Sequence, residues 1–251
     1  MTEQAIIRCI DAGAQFYLDF FGDAPHMDRR DNGLYTVIAP KAGEQGVRFV
    51  YDLRLEHLDD ATAEATIAAI KAMKMPVWWG LFPLHSRRMQ ALLFGEAYTP
   101  KPPRVGDEFY MALLPDRQPA LVAIDQDIRR VTMASDFRIF ADIANRVFAD
   151  GYGDVHPENH FHRCADGRMA AYIAYARGEP AAVAAILHNG NVCSLEFVAT
   201  LPAHRRQGLA EAVSRAAIRD AFAGGAAIIT LRAFDPARRL YEKLGFQTYP
   251  C

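Results

Sequence analysis

Leu195 to Val213 reads LEFVATLPAHRRQGLAEAV, and the fold turns on this stretch. Apolar and β-branched residues up to Thr200 read as a strand, Pro202 interrupts it, and an alanine-rich run with helical spacing begins at Gly208 or Leu209. A helix entered in this way leaves its first amide N–H groups without partners. They gather partial positive charge at the helix end and favour an anion there. Arg205 and Arg206 add formal charge, Gly208 permits the dihedrals that a backbone cradle requires, and Ala210 leaves room for a bulky phosphate.

Outward from this stretch the elements fall in a simple order. RMAAYIAYA (168–176), PAAVAAILH (180–188) and NVCSLEFVAT (191–200) read as three strands that turn at RGEP and at Asn189-Gly190, which makes an antiparallel meander. Before them come a strand around Ile128 to Met133 and a helix with Phe137, Phe140, Ile143, Ala144 and Val147 on one face. After the Leu209 to Ala223 helix come the strand AAIITLRAF (226–234), the short helix PARRLYEKL (236–244) and a last strand starting at Gly245-Phe246.

With these elements in place, the two segments LEFVATLPAHRRQGLAEAV and AIITLRAFDPARRLYEKLGF resemble the GNAT superfamily of acyl-CoA-dependent N-acyltransferases. Arg205-x-x-Gly208-x-Ala210 matches that family's R/Q-x-x-G-x-G/A signature, and Leu240 to Phe246 matches its closing L-Y-E-K-L-G-F. The resemblance implies an α/β (α+β) fold with a mixed, mostly antiparallel central sheet flanked by helices. It implies acetyl-CoA as co-substrate, its pyrophosphate held by Arg205, Arg206, Gln207, Gly208, Leu209 and Ala210. Val198, Ala199 and Thr200 would offer strand-edge hydrogen bonds to the pantetheine arm. By the same resemblance Tyr241 is the general acid to the departing thiolate, and a backbone N–H near Val198 or Ala199 meets the oxyanion. Glu196 is the candidate base, although strict strand alternation would turn either it or Phe197 away from the cleft. The family often carries an asparagine at the position that is Phe234 here, beside Asp235, so one polar contact is missing. The implied reaction is acetyl transfer to a primary amine of a small molecule or peptide by direct attack in a ternary complex. A non-catalytic acyl-CoA-binding module is the alternative.

The N-terminal half has a related order. Ile6, Ile10, Ala14, Tyr17 and Phe21 share a helix face, GDAPHMDRRDNG (22–33) is turn-rich, and LYTVIAP (34–40) and VRFVYDLRL (47–55) read as strands. A helix over DDATAEATIAAIKAM (59–73), a buried strand PVWWGLF (76–82), a helix in SRRMQALLFGEAY (86–98) and a strand EFYMALL (108–114) follow, with TPKPPRVGD (99–107) between the last two. LPDRQPALVAIDQD (114–127) reads as a linker, which divides the chain into 1–125 and 126–251. Without the glycine signature, the first domain is expected to be a degenerate GNAT-like copy. Trp78 and Trp79 read as core or wall aromatics.

In DGYGDVHPENHFHRC (150–164), His156, His160 and His162 are loosely spaced, so a polar loop is expected and no metal. The resemblance makes Glu158, His160 and His162 candidates to touch the acceptor. Across 251 residues, 28 basic against 30 acidic side chains give a formal charge of -2, so no global field gathers nucleic acid or membrane. No apolar run has the roughly 18 residues needed to span a bilayer. Cys9, Cys164, Cys193 and Cys251 are scattered, which fits free thiols in a reducing cytoplasm. The oligomeric state is left open, a homodimer included.

Overall fold

The computed structural model describes residues 1–96, 108–118, 126–148 and 155–250. TPKPPRVGD, residues 119–125 of the expected linker with its boundary, residues 150–154 of the histidine segment and Cys251 lie outside the described residues. Two units emerge, one of Met1–Val105 with Tyr249–Cys251, the other of Gly106–Thr248. The boundary expected near residue 125 therefore moves forward, because the strand in EFYMALL belongs to the sheet of the second unit.

In the first unit, α1 (Glu3–Gly22) is capped by Thr2, whose side chain accepts from the Ala5 N–H at 3.3 Å, and it buries Ile6, Ile10, Ala14, Tyr17 and Phe21. β1 (Met27–Asp31), β2 (Thr36–Pro40) and β3 (Phe49–Tyr51) form an antiparallel sheet in that order. β1 lies inside the stretch expected as turns, and β3 stops at Tyr51 because Asp52 takes a left-handed φ of 54°. α2 (Asp60–Ala72) starts at Asp59, whose carboxylate accepts from the Thr62 N–H at 2.9 Å, and α3 (Arg87–Phe94) starts at Ser86. PVWWGLF is not the strand expected of it. It makes a single parallel bridge, Val50 to Val77, before a 3₁₀ turn at Phe82–Leu84. The Trp78 indole donates to Asp11 at 3.2 Å, and Trp79 packs on a cluster of Leu55, Ile67, Met89 and Leu93.

The second unit contains β4 (Glu108–Leu113), β5 (Asp127–Arg130), α4 (Ala134–Val147), the single-turn helices α5 (Pro157–His160) and α6 (His162–Ala165), β6 (Met169–Ala176), β7 (Glu179–Asn189), β8 (Val192–Thr200), α7 (Leu209–Ala223), β9 (Ile228–Phe234), α8 (Asp235–Lys243) and all but the last residue of β10 (Gln247–Tyr249). Its strands run β10-β4-β9-β8-β7-β6-β5, with β8 and β9 parallel and the pairs β4–β9, β5–β6, β6–β7 and β7–β8 antiparallel. The β6–β7 hairpin closes on Arg177 and Gly178, both at positive φ (53° and 83°), as a two-residue turn of matching twist demands. Gly190, at 60°, opens the β7–β8 turn.

The alanines of the meander have a packing purpose. Ala182, Ala184 and Ile186 of β7 meet Ala212, Ala216, Ala217 and Ala221 of α7 in one core, and small residues on both sides let the helix settle close to the sheet. Phe137 and Phe140, stacked at 5.4 Å, bring α4 against β7 and β8. β4 carries Phe109, Met111 and Leu113 into the α7 core, which suits a strand flanked by β9 and β10.

Candidate active site

β8 and β9 run side by side only over Val192–Ile228, Cys193–Ile229 and Ser194–Thr230, after which no pairing joins them. The Thr230 hydroxyl donates to the Cys193 carbonyl at 3.2 Å and closes the joined part. On its other edge β8 slips against β7: Ala199 faces Val183, yet Glu196 faces Ala185, so one extra residue bulges from β8. Phe197 lies in that bulge at φ 54° and meets Phe140 of α4 edge-on at 6.1 Å. Beyond it Val198 packs on the α7 core, the side already taken by Cys193 and Leu195. Strict alternation is thus broken between Glu196 and Val198. The edge from Val198 to Thr200 that faces away from β7 is left without a strand, and Thr200 Oγ1 is buried without a hydrogen-bond partner among the described residues.

The chain then makes a 3₁₀ turn at Pro202–His204, passes through Arg206 at φ 64° and Gly208 at φ 77°, and enters α7. The first bond of the helix ladder is Ala212 N–H to Gly208 C=O at 3.0 Å, so the N–H groups of Leu209, Ala210 and Glu211 precede it. A Cβ on Gly208 would meet nothing within 4 Å, so glycine is required there for its dihedral and the space above it is open. Arg205 and Arg206 are exposed, and the Arg205 Nε donates to the Thr200 carbonyl at 3.3 Å. Glu211, the acid in the first turn, is held by Arg215 at 3.0 Å and by Lys243 at 2.5 Å, which offsets its repulsion of an anion.

Where β8 and β9 part, ionisable groups from four elements converge. Glu196 is half-buried and accepts from the Ser194 hydroxyl. Burial pushes its pKa up to about 7, against the pull of Arg232 and the Ser194 bond and with a further push from Glu108. Arg232 of β9 pairs with Glu108 of β4 at 3.8 Å. Tyr241 of α8 is 7% exposed, and burial, followed by the Glu196 charge, holds its hydroxyl protonated well above the ordinary range.

The model of the acetyltransferase (GNAT) family matches residues 137–246, which contain the splayed strands, the cradle and Tyr241. The chain carries a GNAT acetyltransferase domain. A GCN5-related N-acetyltransferase from Kribbella flavida has the same fold over 97% of this chain and 91% of its own, at 19% identity and a TM-score of 0.63. A functionally unknown conserved protein from Staphylococcus epidermidis ATCC 12228 matches over 92% of this chain and 93% of its own, at 11% identity and a TM-score of 0.53. A comparison with curated protein sequences returns no match.

Within this GNAT domain, the residues expected at a cofactor site, Val198 to Thr200 and Arg205 to Ala210, form the continuous rim from strand edge to helix end. Glu196 and Tyr241 stand close enough for the charge of one to act on the other. Phe234 ends β9 and is 55% exposed. The histidine segment folds as α5 and α6 where a loop was expected. His160 is buried at 1% exposed, and its Nδ1 accepts from the His156 N–H at 3.0 Å, so it serves the core, whereas Glu158 and His162 are exposed. No cluster of three or more metal-ligating side chains and no helix able to cross a membrane occurs among the described residues. Cys9, Cys164 and Cys193 are free thiols. Sequence reading missed Ser194, Arg232 and Glu108, whose relation to Glu196 depends on strand register.

Proposed function

We propose that the second unit transfers an acetyl group from acetyl-CoA to the primary amine of a small molecule or peptide, by direct attack with both substrates bound. The observation that carries this reading is geometric: the Glu196 carboxylate, its pKa raised by burial, and the buried Tyr241 stand where two parallel strands separate over an open helix end. An alkyl ammonium has a pKa of about 10.4 and must lose a proton before it attacks. Glu196, half-ionised at about pH 7, suits that task. Tyr241 keeps its proton at neutral pH and suits protonation of the departing thiolate.

The residues present fit an acyl-CoA. The N–H groups from Arg206 to Ala210 suit a pyrophosphate, and the free edge from Val198 to Thr200, with its unpartnered Thr200 hydroxyl, suits an extended amide-bearing arm. Glu196→Gln and Tyr241→Phe, assayed by thiol release from acetyl-CoA with a panel of amines, should each lose about 10²- to 10⁴-fold in kcat while the Kd for acetyl-CoA stays unchanged. Full activity in both variants would refute the assignment.

We read the first unit as a second copy of the fold that has lost its cradle. It too has an antiparallel meander followed by a helix and a parallel bridge back to the meander. The helix end is different. Asp59 places a carboxylate on the Thr62 N–H, and Asp60 follows, so the position of an anion is already taken by negative charge. Calorimetric titration should accordingly find one acetyl-CoA per chain; two equivalents would refute this reading.

A further inference from the structure

Glu196 lies at one end of a row of side chains that crosses three strands. β8 and β9 are in register at Ser194 and Thr230, so two residues further on Glu196 and Arg232 stand level and on the same face. β9 and β4 pair Arg232 with Tyr110 and Phe234 with Glu108, which makes Arg232 and Glu108 diagonal neighbours. Their side chains meet at 3.8 Å, with the Arg232 side chain 18% exposed and that of Glu108 31%. β8 and β9 separate beyond Ser194 and Thr230, and the Arg232 guanidinium, paired with Glu108, is near enough for its charge to lower the Glu196 pKa while that of Glu108 raises it.

We propose that Arg232 and Glu108 are positioning residues for the Glu196 carboxylate, so that β4, a strand outside the family-matching segment, is a working part of the active site. The proposal rests on Glu196 being the base. β4 precedes residue 137, where the family match begins, and nothing in that match assigns Glu108 a part. A guanidinium that pairs with Glu108 and also attracts the Glu196 carboxylate divides its charge between the two, so Glu108 tempers what Arg232 does to Glu196. The other groups acting on Glu196 among the described residues are the Ser194 hydroxyl from its own strand and Tyr241 from α8, while β7 presents Ala185 opposite it.

The test is a pH titration of the whole chain labelled with ¹³C at the glutamate carboxyls, the Glu196 resonance being assigned by its loss in Glu196→Gln. Arg232→Met should move the Glu196 midpoint upward by about one pH unit, because an attracting charge is gone. Glu108→Gln should move it downward, because a repelling charge is gone and the guanidinium is released to Glu196. Arg232→Lys should return it towards the wild-type value. Opposite signs are the diagnostic, since a general loosening of the fold would move both variants the same way. An unmoved midpoint in Arg232→Met and Glu108→Gln, or a shift of one sign in both, overturns the proposal. Absent shifts alongside a large rate loss in Glu196→Gln overturn it alone, and shifts of the expected signs alongside full activity in Glu196→Gln overturn the base reading with it.

Discussion

The burial that raises the Glu196 pKa should also make that carboxyl a burden on stability, and the size of that burden follows from the site. Its carboxyl titrates at about 7 in the fold against 4.5 in an ordinary setting, burial being the main cause. Below about pH 4.5 the group is neutral in both the folded and the unfolded chain and contributes nothing. Between 4.5 and 7 the unfolded chain is ionised while the folded one holds its proton, so stability falls as pH rises. Above 7 the loss is complete and amounts to at most about 3 kcal/mol, reduced to the extent that water reaches the half-buried carboxylate. Glu196→Gln keeps an acceptor for the Ser194 hydroxyl and stays neutral at every pH. The variant should match the wild type near pH 4.5 and exceed it by up to about 3 kcal/mol at pH 8. Trp78 and Trp79 are the only tryptophans and both lie in the first unit, so indole fluorescence follows the wrong part of the molecule. Hydrogen exchange of the slowest β7 and β8 amides at pH 5 and pH 8 is the assay of choice. A variant that is no more stable than the wild type at pH 8, or a difference that does not vary with pH, would refute the reasoning.

Two further outcomes follow from the cradle and from β4. Acetyl-CoA at about a hundred times its Kd should add about 2.7 kcal/mol to the stability of the wild-type chain; in Gly208→Glu, where a carboxylate enters the open space at the helix end and φ 77° strains the backbone, thermal unfolding should show no such shift. A fragment of residues 126–251 holds the whole family match yet lacks β4, hence the buried Phe109, Met111 and Leu113, worth roughly 1.5 to 3 kcal/mol each. That sum rivals the whole stability of an ordinary domain, so dispersed amide resonances are expected from 106–251 and not from 126–251.

What the sequence reveals here is what is local. Leu209 and Ala223 bound α7 as their spacing predicts, since Gly208 and Gly224 punctuate both ends within a residue of the helix itself. Arg177-Gly178 and Gly190 fix the meander because two-residue turns of the right twist need positive φ at those positions. β1 is hidden for the opposite reason. MDRRD carries four charged residues and becomes a strand only by pairing with β2 from Asp31–Thr36 to Met27–Pro40. The same holds for PVWWGLF, whose strand-like composition yields one bridge because β3 stops at Tyr51, before the left-handed Asp52.

The candidate site divides along the same line. Tyr241 and Gly208 belong to contiguous motifs, and each motif fixes its own backbone, so both are legible from the chain alone. Glu196 was legible as a candidate but not in its direction, because one extra residue at Phe197 resets the alternation, and nothing in LEFVAT marks a bulge. Its partners are less accessible still: Ser194, Arg232 and Glu108 span 124 positions of sequence from Glu108 to Arg232 and meet only when β4 enters between β9 and β10. A motif can therefore announce where an acyl-CoA would bind, because a phosphate cradle is one turn of backbone. The proton chemistry proposed beside it depends on register across three strands, and a boundary drawn by composition at residue 125 separates Glu108 from Glu196.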